Sequence, residues 1–432
     1  MKARYTVLAG AVALAVVLAG CTATGGDGGT PQESGAPNGL TVLVTASPSA
    51  TGMQALATKY TAETGVEITF VEVPTAQLPT KIILAKQSNQ DTFDIAQVDG
   101  FALPQVVNSG ALLPLDDYID GDEKYDKADF SKGLQNYAKI DGVSYGLPLS
   151  TEPFLQWYRT DLYQQLGMVP AKTWDDAISN AGTLKDAGHY GWATAFGPGV
   201  SANYFDEMLY TSGGRLLDPD TFKPLLDTDF TKQIMKQFLS LKDVAPASSA
   251  TGASADMITA FSQLDVGQIV AASGWYSNVA DPTESGAAGN FATTGAPLSD
   301  DGPYDAVNIL NGWVAGISSA SKHQDAAWDF LSWVLSPDNV QAFIDAGAPP
   351  PARISTTSNP DYIAQLPYLE AEQDATETGV TVPRIPEMGQ IITVLSQNIS
   401  AMASGQLSLD DGMVKAQEDL LNILVQSGRY KG

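Results

Sequence analysis

Residues 40 to 98 alternate between two hydrophobic periods, and that alternation limits the fold more than any other feature of the chain. Leu40-Thr-Val-Leu-Val-Thr45 is a short β-branched run. Ser49 to Thr64 then places Met53, Leu56, Ala57 and Tyr60 at helical spacing and stops at Gly65. Val66-Glu-Ile-Thr-Phe-Val-Glu-Val73 alternates again, Thr75 to Ser88 is amphipathic, and Phe93-Asp-Ile-Ala-Gln-Val98 is a third strand. Strand, helix, strand, helix, strand predicts an α/β layer with a parallel sheet. Ligands of open α/β sheets sit beyond the carboxyl ends of the strands, which selects Ser47, Ser49, Asp99 and Gly100.

The chain is too long for one core. At 432 residues and 44 % hydrophobic composition, more than one lobe is expected, because single cores stop growing near ~250–300 residues. Further along, Asp141-Gly142 between two short strand-like runs signals a hairpin, and Leu155-Gln-Trp-Tyr-Arg159 is another strand. Thr173 caps a helix with Asp176 three residues on, and a second α/β region runs to about Asp281. Residues 281 to 303 are Gly- and Pro-rich.

Charge and composition exclude several functions. With 49 acidic against 23 basic residues the net charge is −26, which disfavours nucleic acid, since phosphate binding needs clustered Lys and Arg. One cysteine and two histidines, His189 and His323, leave little for a zinc or iron centre, and no cofactor or metal is expected. The acids at Asp116, Asp117, Asp120, Asp122, Glu123, Asp126 and Asp129 lack EF-hand spacing and read as a solvated face.

The amino terminus reads as an export signal. Lys2 and Arg4 precede an apolar run from Val7 to Ala19, too short to span ~30 Å of hydrocarbon. Leu18-Ala19-Gly20-Cys21 resembles the lipobox of bacterial lipoproteins, which implies cleavage after Gly20 and lipidation of Cys21; the alternative is an ordinary signal peptide with a cysteine near its end. Two or more acyl chains give stable anchoring. Residues 21 to 39 then form a Gly-, Pro-, Ser- and Thr-rich tether, whose seventeen residues from Thr22 to Asn38 span roughly 20–25 Å as a coil.

The order of later segments carries a family resemblance. Phe93-Asp-Ile-Ala96, Ser109-Gly-Ala-Leu-Leu-Pro-Leu-Asp-Asp-Tyr118, Tyr145-Gly-Leu-Pro148, Trp157-Tyr-Arg-Thr-Asp-Leu-Tyr163 and Lys172-Thr-Trp-Asp-Asp176 lead to Gly274-Trp275, Asn311-Gly-Trp-Val-Ala-Gly316 and Asp325-Ala-Ala-Trp-Asp-Phe-Leu331. Together they resemble the extracellular solute-binding proteins of ABC importers, in the large carbohydrate-binding family. Pro350-Pro-Ala-Arg-Ile-Ser355 and Pro383-Arg-Ile-Pro386 are similar to the branch for polyols and simple sugars. The resemblance implies a two-lobed, type II periplasmic-binding-protein-like α/β fold with a hinge. One lobe would take 40–148 and 305–344, the other 149–304 and 345–432. It also implies a monomer outside the cytoplasmic membrane that hands a carbohydrate or polyol to an ABC transporter permease; another nutrient, such as a peptide or amino acid, is the alternative.

A sugar offers apolar C–H faces and polar hydroxyls, so its site needs rings and planar polar groups. Trp174, Trp328 and Trp333 lie in helical stripes or caps and read as core. Trp275 and Trp313 sit among small and polar residues, where stacking on a ligand and plain packing both remain open; Tyr276 and Asn311 accompany them. Asp99 and Glu152 are candidate hydroxyl acceptors or solvated carboxylates. Arg353 could enter the cleft or make an interlobe ion pair, and Asn203 and Tyr204 follow the Gly197-Pro-Gly-Val-Ser-Ala202 loop, whose helix-end amides could face a hydroxyl. Among enzyme readings, Gly142-Val-Ser-Tyr-Gly146 lacks the strand-to-helix turn of a nucleophile elbow, and Pro198 removes a donor from a dinucleotide loop. The remaining enzymatic rival is a secreted glycoside hydrolase using Asp99 and Glu152 as acid and base.

Overall fold

The computed structural model describes residues 38–89 and 92–431. The expected signal segment, Cys21 and nearly all of the tether lie outside these residues.

β1 (Gly39–Val44) is followed by α1 (Pro48–Thr64), β2 (Glu67–Glu72), α2 (Leu78–Gln87) and β3 (Ile95–Asp99), with β1 pairing in parallel to both other strands. The helix start is chemical: Ser47 is extended, its hydroxyl accepts the Ala50 amide, and Pro48 occupies the first turn where no amide is needed. The stop is conformational, with Gly65 at φ 79° closing the last turn onto the Thr61 carbonyl.

The predicted hairpin forms as β4 (Lys139–Ile140) and β5 (Val143–Ser144), with Asp141 at φ 50° and Gly142 at φ 83°, the two positive values a type I′ turn demands. β6 (Leu147–Thr151) and β7 (Phe154–Arg159) follow, then β8 (Gln268–Ala272), β9 (Phe291–Gly295) and β10 (Gly312–Ile317). β9 lies inside the Gly- and Pro-rich stretch; its sequence, FATTG, has too little apolar alternation to be read as a strand, and pairing with β7 creates it.

These strands make two separate larger sheets. One runs β2-β1-β3-β10-β6, the other β8-β7-β9. The chain leaves the first at Thr151 and enters the second at Phe154, so Glu152–Pro153 is the passage between them. Strand alternation splits the first sheet's core in two: Leu40, Val42 and Val44 face one helical layer containing Met53, Leu56, Trp328 and Phe330, while Leu43, Ala96 and Val98 face another containing Ile82 and Leu103. The second sheet has its own core, in which Leu155, Trp157, Ile269 and Ala271 meet Phe205, Met208, Leu395 and Leu420. Separate cores around two sheets accord with more than one lobe for a chain of this length.

Trp174 in its capped helix start and Trp328 in its helical stripe are buried, whereas Trp333, also expected in the core, is only partly covered, and the capping box of Thr173 and Asp176 is formed. Ser144 is a buried strand residue whose hydroxyl donates to Asp116 at 3.0 Å, far from an elbow geometry. Among the described residues, no helix is long and apolar enough to cross a membrane.

Candidate ligand site at the passage between the sheets

The site begins where β1 and β3 end. Ser47 and Ser49 sit at the start of α1, and buried Gln97 on β3 donates its amide to both hydroxyls, at 2.9 and 3.0 Å, while its oxygen accepts the Thr45 amide at 3.2 Å. Gln97 therefore locks two hydroxyls in place, and a polar residue inside an apolar strand is the signal that would have found it.

β10 lies antiparallel beside β3, which places Trp313 opposite Asp99 on one side and opposite Ser150 of β6 on the other. A bulge after Trp313 interrupts the β6 ladder. Gly312 makes this approach possible: at φ 153°, a Cβ there would fall 2.2 Å from the Ser150 carbonyl oxygen. The Tyr137 hydroxyl donates to the Gly312 carbonyl at 2.8 Å, and Asn311 brackets the passage by accepting the Glu152 amide at 2.9 Å on its carbonyl.

Glu152 is the centre of the cluster. It is buried, and the Ser150 hydroxyl donates to its carboxylate at 3.0 Å. Burial pushes its carboxyl up to about 7, against the Ser150, Trp313 and Ser49 side chains, which favour the charged form. Asp99 is also raised by burial; the Ala102 amide, which it accepts at 2.9 Å, the Phe101 amide and the Arg384 charge pull it back. Arg384 itself donates to the carbonyls of Gly100 at 2.9 Å and Tyr137 at 2.6 Å, so its guanidinium braces the walls of the site.

The second sheet contributes the turn after β8. Gly274 presses on Glu152 so closely that a Cβ would stand 2.7 Å from the carboxyl carbon. Half-buried Trp275 and Tyr276 follow it, and the Tyr276 ring packs 5.0 Å from Tyr368 and 5.3 Å from Phe291. Ser47, Ser49, Asp99, Glu152, Asn311 and Trp313 thus assemble from the first sheet and its passage. The turn carrying Trp275 and Tyr276 closes on Glu152 from the second.

Three predicted residues stand elsewhere. Arg353 is fully buried beside the core of the five-stranded sheet, donating to the carbonyls of Leu335 at 2.6 Å and Tyr125 at 2.8 Å, pairing with Asp129 at 3.3 Å and lying 4.4 Å over the Phe130 ring. Its preference for carbonyls and a ring face keeps it out of the cluster. Tyr204 is buried edge-on to Phe154 and donates to Ser254 at 2.8 Å. Asn203 carries a buried Oδ1 without a hydrogen-bond partner among the described residues, and no hydrogen bond there joins either residue to the Glu152 cluster. The helix-end amide of Ala202 meets the Ser396 hydroxyl at 3.1 Å.

Comparison with known proteins places this arrangement. Residues 46–341 match the family model of the bacterial extracellular solute-binding proteins. A probable amino-acid ABC transporter periplasmic-binding protein of Sinorhizobium fredii is 24 % identical over 369 residues, covering 81 % of this chain and 80 % of that one. A mannitol-binding protein of Pseudomonas aeruginosa is 25 % identical over 330 residues, covering 70 % and 74 %. The crystal structure of an ABC transporter solute-binding protein from Agrobacterium radiobacter, in complex with ribitol, superposes with a TM-score of 0.84 at 22 % identity over 89 % of this chain and 98 % of that one. That superposition establishes the two-lobed periplasmic-binding-protein fold. With the family model spanning most of the chain, this protein belongs to the bacterial extracellular solute-binding proteins.

Proposed function

We propose that the protein captures an uncharged polyol or simple sugar between its lobes and delivers it to an ABC transporter permease. The carrying observation is the Glu152 cluster: a buried carboxylate at the passage between two sheets, with oriented serine hydroxyls and a half-buried indole from one sheet and an aromatic turn from the other. In this reading Glu152, Asp99, Ser47, Ser49 and Asn311 meet hydroxyls, and Trp313, Trp275 and Tyr276 meet C–H faces. Contacts from both sides let a ligand favour the closed state, because a ligand shifts a hinge only by its differential affinity. The names of the mannitol-binding relative and the ribitol-bound structure support this ligand class.

The amino-acid ligand of the Sinorhizobium relative's name is the second reading. An α-carboxylate calls for a guanidinium with both terminal nitrogens free, and those of Arg384 are spent on the carbonyls of Gly100 and Tyr137. We further infer lobes of 40–148 with 305–344 and of 149–304 with 345–432, a monomeric state, and anchoring through lipidated Cys21 to the outer face of the cytoplasmic membrane.

The test is a thermal-shift panel of D-mannitol, ribitol, maltose and amino acids on the mature protein. A true ligand at a hundredfold over its Kd adds about 2.7 kcal/mol of stability. A shift with amino acids alone refutes the polyol reading, and hydrolysis of glycosides refutes the transport role.

A further inference from the structure

Behind Glu152 lies a second buried carboxylate. Glu372, 2 % exposed, projects from the helix Tyr368–Thr378. The Thr151 hydroxyl donates to its Oε1 at 2.8 Å and the Ser273 hydroxyl to its Oε2 at 2.7 Å. Thr151 ends β6 in the five-stranded sheet, and Ser273 follows β8 in the three-stranded one. One side chain therefore joins both sheets, flanking the Glu152–Pro153 passage on one side and the turn that carries Gly274 and Trp275 on the other.

The surroundings of the pair hold little positive charge. Tyr368, one turn earlier on the same helix, and Tyr276 from the helix Tyr276–Ala280 face it, and burial raises both phenols, so neither supplies charge near neutrality. Tyr137 and Asp99 lie on the Glu152 side, and Arg384 donates to the carbonyls of Gly100 and Tyr137 while its charge acts on Asp99. Neither Glu152 nor Glu372 has a salt bridge among the described residues. Burial is the main cause raising each carboxyl, to about 7, and the Glu152 charge acts further on Glu372. Two neighbouring carboxylates in a buried setting ionise as a coupled unit, because the first charge opposes the second.

We propose that Glu372 is a positioning residue of the ligand cleft: it ties the Thr151–Glu152 passage to the Ser273–Trp275 turn and, anchored one residue before Glu152 and one before the Gly274 that presses on it, ionises together with Glu152, so that capture of a hydroxylated ligand releases a proton. This rests on Glu152 being the hydroxyl acceptor proposed above. The ligand hydroxyl keeps its own proton and hydrogen-bonds to the Glu152 carboxylate; the proton the pair had held leaves to the buffer. Affinity accordingly rises with pH across neutrality.

The test is calorimetric titration of the mature protein with D-mannitol and with ribitol at pH 6, 7 and 8, in buffers of different ionisation enthalpy. The wild type releases up to about one proton per ligand near pH 7 and binds about 3- to 10-fold more tightly at pH 8 than at pH 6. Glu372→Gln, which keeps the shape and an acceptor for one hydroxyl, loses most of that release and moves the rise in affinity to lower pH. A merely structural role would not move this profile. An absence of proton release in the wild type, or an unchanged profile in Glu372→Gln, overturns the proposal. If neither polyol binds at any pH, the ligand assignment fails and the pair is judged on unliganded melts. The wild-type fall in melting temperature between about pH 4.5 and 7 must then shrink in Glu372→Gln, and an equal fall in both refutes the joint ionisation.

Discussion

Gly274→Ala offers a clean separation of ligand recognition from folding. Gly274 has an ordinary negative φ in the turn Ser273–Trp275, so alanine brings no backbone strain. The added Cβ would stand 2.7 Å from the Glu152 Cδ, 2.8 Å from Oε2 and 3.1 Å from Cγ. Carbon pairs settle near ~3.5 Å, so the carboxyl must retreat by roughly 0.8 Å. The Ser150 donor now sits 3.0 Å away, and such a retreat carries that contact and the alignment with Ser49 and Trp313 to the edge of hydrogen bonding. The ligand hydroxyl's own bond to the displaced carboxylate is worth about 1.5–3 kcal/mol, so ligand affinity should fall about 10- to 100-fold. Stability should fall by no more than about 1.5–3 kcal/mol, the worth of the stretched Ser150 bond, because the clashing atoms belong to the end of a side chain that can swing. Isothermal titration with D-mannitol and an unliganded urea melt measure the two effects. Wild-type affinity in Gly274→Ala would show that Glu152 does not meet ligand; a stability loss above about 3 kcal/mol would show that the turn supports the fold.

Other perturbations separate the remaining roles. Trp313→Ala should abolish the ligand-induced thermal shift at a cost of about 1–3 kcal/mol to the unliganded protein, since the indole is only half-buried; a retained shift removes it from the site. Arg353→Ala should cost about 3–5 kcal/mol by emptying a fully buried site and leaving the Leu335 and Tyr125 carbonyls unpaired, while Asp129 keeps its Ser355 bonds; ligand affinity of the folded fraction should be unchanged, as equilibrium unfolding and titration can check. Unliganded stability should decrease as pH rises from about 4.5 to about 7. Glu152 and Glu372 hold protons in the folded state that the unfolded chain has released over that window, and circular dichroism melts at constant ionic strength follow it.

Much of the fold was legible because the signals are local. The β1–α1–β2 rhythm, the Ser47 and Gly65 ends of α1, the Asp141–Gly142 turn and the Thr173–Asp176 box each depend on residues within a few positions of one another. β9 was not legible, because FATTG becomes a strand only when β7 offers it an edge. The site divides in the same way. Ser47, Ser49 and Asp99 follow from the rule that strand ends hold ligands, and Trp313 and Trp275 from large rings set among small residues.

Glu372 and Arg384 carry no such mark, since a glutamate on an amphipathic helix reads as solvated, whereas Gln97 is marked only by its polarity inside an apolar strand. The Pro-Pro-Pro context of Arg353 likewise said nothing of which way its guanidinium turns. Short-range pattern determined which segments are strands and helices, and where each begins and stops. Only the tertiary structure decided that β10 inserts between β3 and β6, and so that Trp313, Glu152 and Glu372, separated by as many as 220 positions, converge on one passage. The physical reason is that backbone periodicity is written into neighbouring residues, whereas the partner of a buried polar group is chosen by whichever distant segment desolvates it.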